Sequence, residues 1–203
     1  MKLYNEDSKL YEILGNVGDL IILNILFIIS CLPIITIGAS ITSMHSVTNK
    51  MVMGENINIF KVYKDSFIKN FKQATLVWIF VFFAIMILIL DIQILGIYQN
   101  NILLGLVIGV LILLIILISY IFPMIACFHN TIFIFIKNSF VIASLNILTT
   151  LIVFILNVLP ILLLFVIDFL NQVGHLFYLL IGFSSTSYLI MKILSKVFKK
   201  YTN

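Results

Sequence analysis

The sequence predicts an all-α integral membrane protein: a bundle of about five transmembrane helices, with short amphipathic interfacial helices between the first and second spans. Three observations carry that prediction. Of 203 residues, 63% are hydrophobic and only 10% charged, against about 45 to 50% and about 25% in soluble domains. Twelve lysines and eight acidic residues cannot cover the surface of a water-soluble globule of this length. The apolar residues fall in uninterrupted runs several times longer than a strand and lack the alternation of a membrane barrel.

A spanning helix needs about 20 mostly apolar residues to cross about 30 Å of hydrocarbon. Five stretches qualify: Asp19 to Ile37, Ala74 to Leu95, Ile102 to Phe128, Val141 to Ile167 and His175 to Leu194. Ahead of the first, Asp7 or Ser8 can cap a helix in which Leu10, Leu14 and Val17 share a face, or that segment extends the span. The first 18 residues carry Glu6, Asp7, Glu12 and two glycines rather than a basic region and a short apolar core. No cleavable signal peptide is read there, and the first span is expected to stay as an anchor. The chain is treated as a single membrane domain.

The longest polar stretch, Ala39 to Gln73, is predicted to be a cytoplasmic loop holding two short helices. In Ser40 to Met53, Ile41, Met44, Val47 or Thr48, and Met51 recur at helical spacing, and Gly54 follows as a C-terminal cap. In Asn58 to Gln73, Phe60, Tyr63, Phe67 and Phe71 form one face, flanked by Lys61, Lys64, Lys69 and Lys72. That pattern fits a helix lying on the membrane with its lysines reaching the headgroups. It fits equally an aromatic stripe packed on neighbouring helices.

Five spans place ten lysines on one side and leave Lys2 and Lys9 on the other. The positive-inside rule then puts the amino terminus outside and the carboxyl terminus in the cytoplasm. If the first span is instead a re-entrant hairpin broken at Pro33 and Gly38, the amino terminus is inside. All basic residues are lysine, so the guanidinium fork favoured for nucleic acid is missing, and the net charge of +4 points to a membrane surface. Cys31 and Cys127 sit in apolar runs as small hydrophobes. No disulfide framework, metal site or cofactor motif is read.

The stretch from Asp19 to Ala74 carries Asn24, then Leu32, Pro33, Thr36, Ile37 and Gly38, the small residues after them, and the run Phe67, Lys69, Asn70, Phe71. In these features it resembles the YesL-like family of small bacterial integral membrane proteins, a domain of unknown function. The blocks from Phe122 and from Gly182 are similar to that family's later segments. The resemblance implies the fold class, a bacterial cell-membrane location and a loose association with carbohydrate uptake and utilisation. It implies no catalytic residue and no ligand.

Ionisable groups near the bilayer are functional candidates by default. Asp19, Asp91, Asp168 and His175 lie at span ends and share the outer side in the five-span topology. Together they could bind a cation or sugar hydroxyls, or they are solvated helix caps. His45 and His129 fall in or beside the cytoplasmic connections without a partner at metal-ligand spacing and are read as interfacial. Asn24, Asn146 and Asn157 within spans are expected to bond between helices. Pro33, Pro123 and Pro160 each free a carbonyl in a different span, bending the helix or lining a cavity. Gly105 and Gly109 form a GxxxG face, and Gly182 to Ser187 a second small-residue surface, for packing within the chain or between chains.

No HExxH, GxSxG, phosphate-binding glycine loop or intramembrane carboxylate pair is present, so an enzyme is not expected. Two functions remain. One is a transport-related permease or accessory subunit of a solute uptake system, with carbohydrate as one solute class. The other is a membrane-anchored scaffold or regulator that docks a cytoplasmic protein or anionic lipid through the basic loop. The expected partners are the lipid bilayer and other transport subunits or a cytoplasmic protein, not nucleic acid.

Overall fold

The computed structural model describes residues 3–166, 174 and 176–202, and these form helices joined by short connections, with no strand among them. In chain order the α-helices are α1 (Leu3–Cys31), α2 (Ile37–Val52), α3 (Ile59–Ile97), α4 (Asn101–Cys127), α5 (Ile132–Leu145), α6 (Ile147–Val166) and α7 (Phe183–Thr202). A 3-10 turn at Ile34–Thr36 joins α1 to α2, and a π-helical turn at Tyr178–Gly182 leads into α7.

Among the described residues three helices are long and apolar enough to cross a bilayer: α3, α4 and the continuous segment Tyr178–Tyr201. A fourth is added if α5 and α6, bent by 109° at Asn146, count as one broken span. These helices mark a membrane protein with three or four candidate spans among the described residues. The first predicted span, 19–37, divides at its proline. Proline biases the residue before it away from helix, so α1 stops at Cys31 and the chain turns through Leu32 and Pro33. The Thr36 hydroxyl donates to the carbonyls of Ser30 (2.6 Å) and Pro33 (2.7 Å), and Trp78 Nε1 donates to the Ile34 carbonyl (2.8 Å). α1 as a whole runs for 29 residues, Leu3–Cys31, about 43 Å at 1.5 Å per residue. The helix predicted before that span is its direct continuation.

The predicted span 141–167 is broken as well. Asn146 ends α5 and its Nδ2 donates both to the Ile142 carbonyl (2.8 Å) and to Tyr201 Oη (2.9 Å). A carboxamide that satisfies backbone carbonyls locally competes with continued helix.

The region 39–73 is helical over most of its length, as the two short helices read from sequence require. Its first half is α2, in which nine of sixteen residues are buried, and α2 packs on α1, α3, α4 and α7 at the centre of the bundle. Small side chains allow this approach. A Cβ added at Gly38 would run into the Ala74 carbonyl oxygen and lie 2.6 Å from Trp78 Cβ. The hydroxyls of α2 avoid an unsatisfied burial by bonding back to their own helix: Ser40 to Thr36, Thr42 to Gly38 and Ser43 to Ala39, at 2.7 to 3.0 Å. Gly54 takes a positive φ of 74° just past the helix end, where the Glu55 N–H reaches back to the Lys50 carbonyl at 3.1 Å.

The second half is the start of α3, which begins at Asn58, whose side chain caps the Lys61 N–H at 2.9 Å, and continues unbroken into the second span. No helix breaker separates Lys72 from Ala74, so the two predicted elements are one. Its aromatic stripe splits. Tyr63 is buried and Phe67 packs on the core, whereas Phe60 and Phe71 are exposed. The buried face of these turns is Ile59, Tyr63, Ser66, Asn70 and Ala74.

Outward of the core, the first two-thirds of α4 is largely exposed apolar surface, which suits a lipid surround. A methyl group placed on Gly105 or Gly109 would meet nothing within 4 Å, so their face does not pack against the described residues. Gly182, Ser184 and Ser187 are buried. Pro123 lies buried inside α4 one turn from its end, and α6 runs through Pro160.

Replacing Gly38 with Val is expected to destabilise the protein by about 1–3 kcal/mol through overpacking. Thermal unfolding of the purified protein in mild detergent would show this, and an unchanged melting temperature would mean that α2 and α3 do not approach as described.

Candidate functional site

Two polar clusters hold the buried helices together, and the second of them walls the interior cavities. The first centres on Asn24 of α1, which is fully buried. A π-helical turn carries an extra residue per turn and so leaves backbone groups without their usual partners. Asn24 meets three of them: Nδ2 donates to the carbonyls of Tyr178 (2.9 Å) and Leu179 (2.8 Å), and Oδ1 accepts from the Ser184 N–H (3.0 Å). Ser184 Oγ returns a bond to the Leu20 carbonyl at 2.8 Å. Both amide protons and the carbonyl of one side chain thus fix the entry of α7 against α1.

One turn further along α7, the second cluster forms against α2. Ser187 Oγ lies 2.9 Å from His45 Nδ1 and 3.0 Å from Thr48 Oγ1, while Thr48 Oγ1 lies 3.0 Å from the Met44 carbonyl. All three side chains are buried. One proton assignment fills every contact: Thr48 donates to Met44, Ser187 donates to Thr48, and His45 Nδ1–H donates to Ser187. That assignment makes His45 a neutral imidazole, as burial without a counter-charge favours. It also leaves Nε2 as a bare acceptor.

His45 walls two cavities. One, of about 240 Å³, lies between α1, α2 and α7 and includes Phe27, Met44, Tyr178 and Thr186. The other, of about 420 Å³, lies among α2, α3, α4, α6 and α7 and includes Trp78, Ile115, Ile118, Ser119, Phe122 and Leu162. Ile41, His45, Asn157 and Ile190 are common to both. Asn157 Nδ2 donates to Ser119 Oγ (3.2 Å) and to the Val153 carbonyl (2.9 Å), and Ser119 Oγ donates to the Ile115 carbonyl (2.8 Å).

Of the sequence-predicted outer ring, two members fall among the described residues. Asp19 on α1 and Asp91 near the far end of α3 are each half-buried, and Asp168 and His175 lie outside the described residues. Among the described residues no group of three or more His, Cys, Asp or Glu could hold a metal ion.

The basic residues, in contrast, converge. The ends of α2 and α4 and the first turns of α3 enclose a polar cleft of about 310 Å³ lined by Ser46, Lys50, Asp65, Lys69, Asn70 and His129. A smaller cavity beside it, of about 130 Å³, brings in Ser195, Phe198 and Lys199 at the end of α7. Lys69 Nζ donates to His129 Nε2 at 2.7 Å, and Lys50 pairs with Glu55 at 3.2 Å. Lys61, Lys64 and Lys72 are exposed on the same turns of α3. His129 is thus at the basic end, whereas His45, read from sequence as interfacial, is central. The signal that could have marked His45 is its place in α2 among Thr42, Ser43 and Thr48, a buried hydroxyl-rich face with helical spacing.

One comparison bears on this region. Residues 20–92 match a family model described as "Protein of unknown function, DUF624". The matched stretch runs from α1 to the far end of α3 and contains Asn24, Gly38, His45, Thr48 and Trp78. Their partners Tyr178, Ser184 and Ser187 lie beyond it. No curated protein and no solved structure is similar enough to match.

Replacing Asn24 with Leu leaves three buried backbone groups unsatisfied and is expected to cost about 2 kcal/mol or more, against about 1 kcal/mol for Ser184→Ala. Chemical or thermal unfolding of both variants in detergent measures the difference, and equal effects would contradict the clasp.

Proposed function

We propose that this chain is a membrane-embedded accessory subunit of a solute uptake system that meets its partner through the basic end. The observation that carries this reading is the convergence of Lys50, Lys61, Lys64, Lys69, Lys72 and Lys199, from three different helices, on one end of the bundle. By the positive-inside rule that end is cytoplasmic in a bacterial cell membrane, together with the carboxyl terminus of α7. Each lysine near an anionic surface contributes about 1 kcal/mol of attraction, so the same end suits an acidic protein face held close to the bilayer.

An accessory role fits better than an ion-coupled permease. Among the described residues the buried polar groups are Asn, Ser, Thr and His, with no buried Lys, Asp or Glu, and coupled pumps use such groups as relays. The resemblance to the YesL-like family supports a link to carbohydrate uptake. A membrane scaffold that recruits a cytoplasmic regulator uses the same surface and differs in what is recruited.

The test is co-purification of the intact protein from cell membranes in mild detergent. Changing Lys61, Lys64, Lys69 and Lys72 to Gln is expected to release the associated proteins, whereas Asp91→Asn retains them. If the quadruple variant keeps its partners, or if the protein alone moves labelled sugars into liposomes in an Asp91-dependent way, the reading fails.

A further inference from the structure

The larger interior cavity has a composition that selects its occupant. Its volume of about 420 Å³ falls within the range of about 300–1,000 Å³ usual for small-molecule sites. Its walls are Ile, Val, Leu, Phe and Trp side chains interrupted by three polar ones, His45, Ser119 and Asn157. Among the described residues no Lys, Asp or Glu lines it, so an ionic ligand would be buried there without a counter-charge. A free sugar fits badly for the opposite reason, since most of its hydroxyls would face hydrocarbon side chains and lose the bonds they make in water.

The polar groups also have a direction. The Asn157 amide protons already point at Ser119 and Val153, and the Ser119 proton points at Ile115. His45 lines the cavity, and in the proton assignment given above, with Nδ1–H on Ser187 Oγ 2.9 Å away, it keeps Nε2 as an acceptor. The cavity therefore favours a ligand whose head is a hydrogen-bond donor. Access agrees with this, because several of its walls belong to α3, α4 and α7, the helices suited to hydrocarbon.

We propose that the cavity bounded by Trp78, Ile115, Phe122 and Ile190 binds a neutral amphipathic molecule drawn from the bilayer, a single hydroxyl-headed aliphatic chain of the long-chain alcohol class. The hydroxyl donates to His45 Nε2 and the chain lies along the apolar walls. This site is separate from the basic end, and it stands or falls independently of the accessory role.

Trp78 is the only tryptophan in the chain and lines the cavity, so its emission reports occupancy. With the intact protein in pure lipid vesicles, bromoundecanol is expected to quench Trp78 saturably. The equal-length bromoundecyl-trimethylammonium should need about tenfold or more higher concentration, the equivalent of about 1.4 kcal/mol. Ile115→Phe narrows the cavity away from the His45, Ser187 and Thr48 contacts and should raise the midpoint for the alcohol about tenfold or more. His45→Leu should do the same while bringing the two probes' midpoints closer together. Equal, unsaturable quenching by both probes means that bromine reaches Trp78 from the bilayer and overturns the proposal. So does an Ile115→Phe protein that folds and binds the alcohol unchanged, or glucose that displaces the alcohol.

Discussion

A backbone that leaves regular α-helical pairing inside an apolar bundle must find its hydrogen bonds from a side chain, because no water is at hand. The π-helical turn at Tyr178–Gly182 is such a departure, and Asn24 is the side chain that answers it. This one pairing joins residues more than 150 positions apart and fixes the register of α7 against α1. The rest follows from that register. With Ser184 held on the Asn24 side, Ser187 arrives at His45 and Thr48, and Ile190, Leu194 and Phe198 continue along the core face of α7.

Around this clasp the bundle is assembled by close approach. Transmembrane helices lack a hydrophobic drive toward one another, since lipid is as apolar as their own side chains, so small residues and interhelical hydrogen bonds decide what packs. α2 shows both devices, with Gly38 against α3 and Thr48 against Ser187. The outer parts of α3 and α4 show neither, and they present large aliphatic side chains outward. The GxxxG face of Gly105 and Gly109 meets no other described part of the chain, so it takes no part in the packing seen here.

The fold class and the long spans in α3 and α4 were legible because their apolar runs have no competing signal. Two features misled. Continuous hydropathy concealed the break at Asn146, where one residue decides the path, while the break at Pro33 was open to sequence reading only as an alternative to a full span. The helix predicted at Ser40 to Met53 is present as α2, but polarity concealed its burial, because Ser40, Thr42, Ser43 and Thr48 look like surface residues until their hydroxyls are seen to bond to the preceding turn of the same helix. The site was less legible still. His45 stands alone in its segment, and its partner Ser187 is 142 residues away, a distance that no local pattern bridges. Asn24, Asn146 and Asn157 could be flagged as bonding between helices from their setting alone, and each does so, to Tyr178, Tyr201 and Ser119 respectively.

The uninterrupted course of α3 has a mechanical meaning. At 1.5 Å per residue its 39 residues make a rod about 58 Å long, nearly twice the thickness of a hydrocarbon layer. Hydrogen bonds in every turn resist bending, so a tilt imposed where Lys61 and Lys64 lie must reappear, reversed, at the tip beyond Asp91. Trp78 and Ala74, pressed against Gly38 between these two ends, sit where a fulcrum would. The helix that carries the lysines thus passes the interior cavity near its middle, where Trp78 is part of the wall.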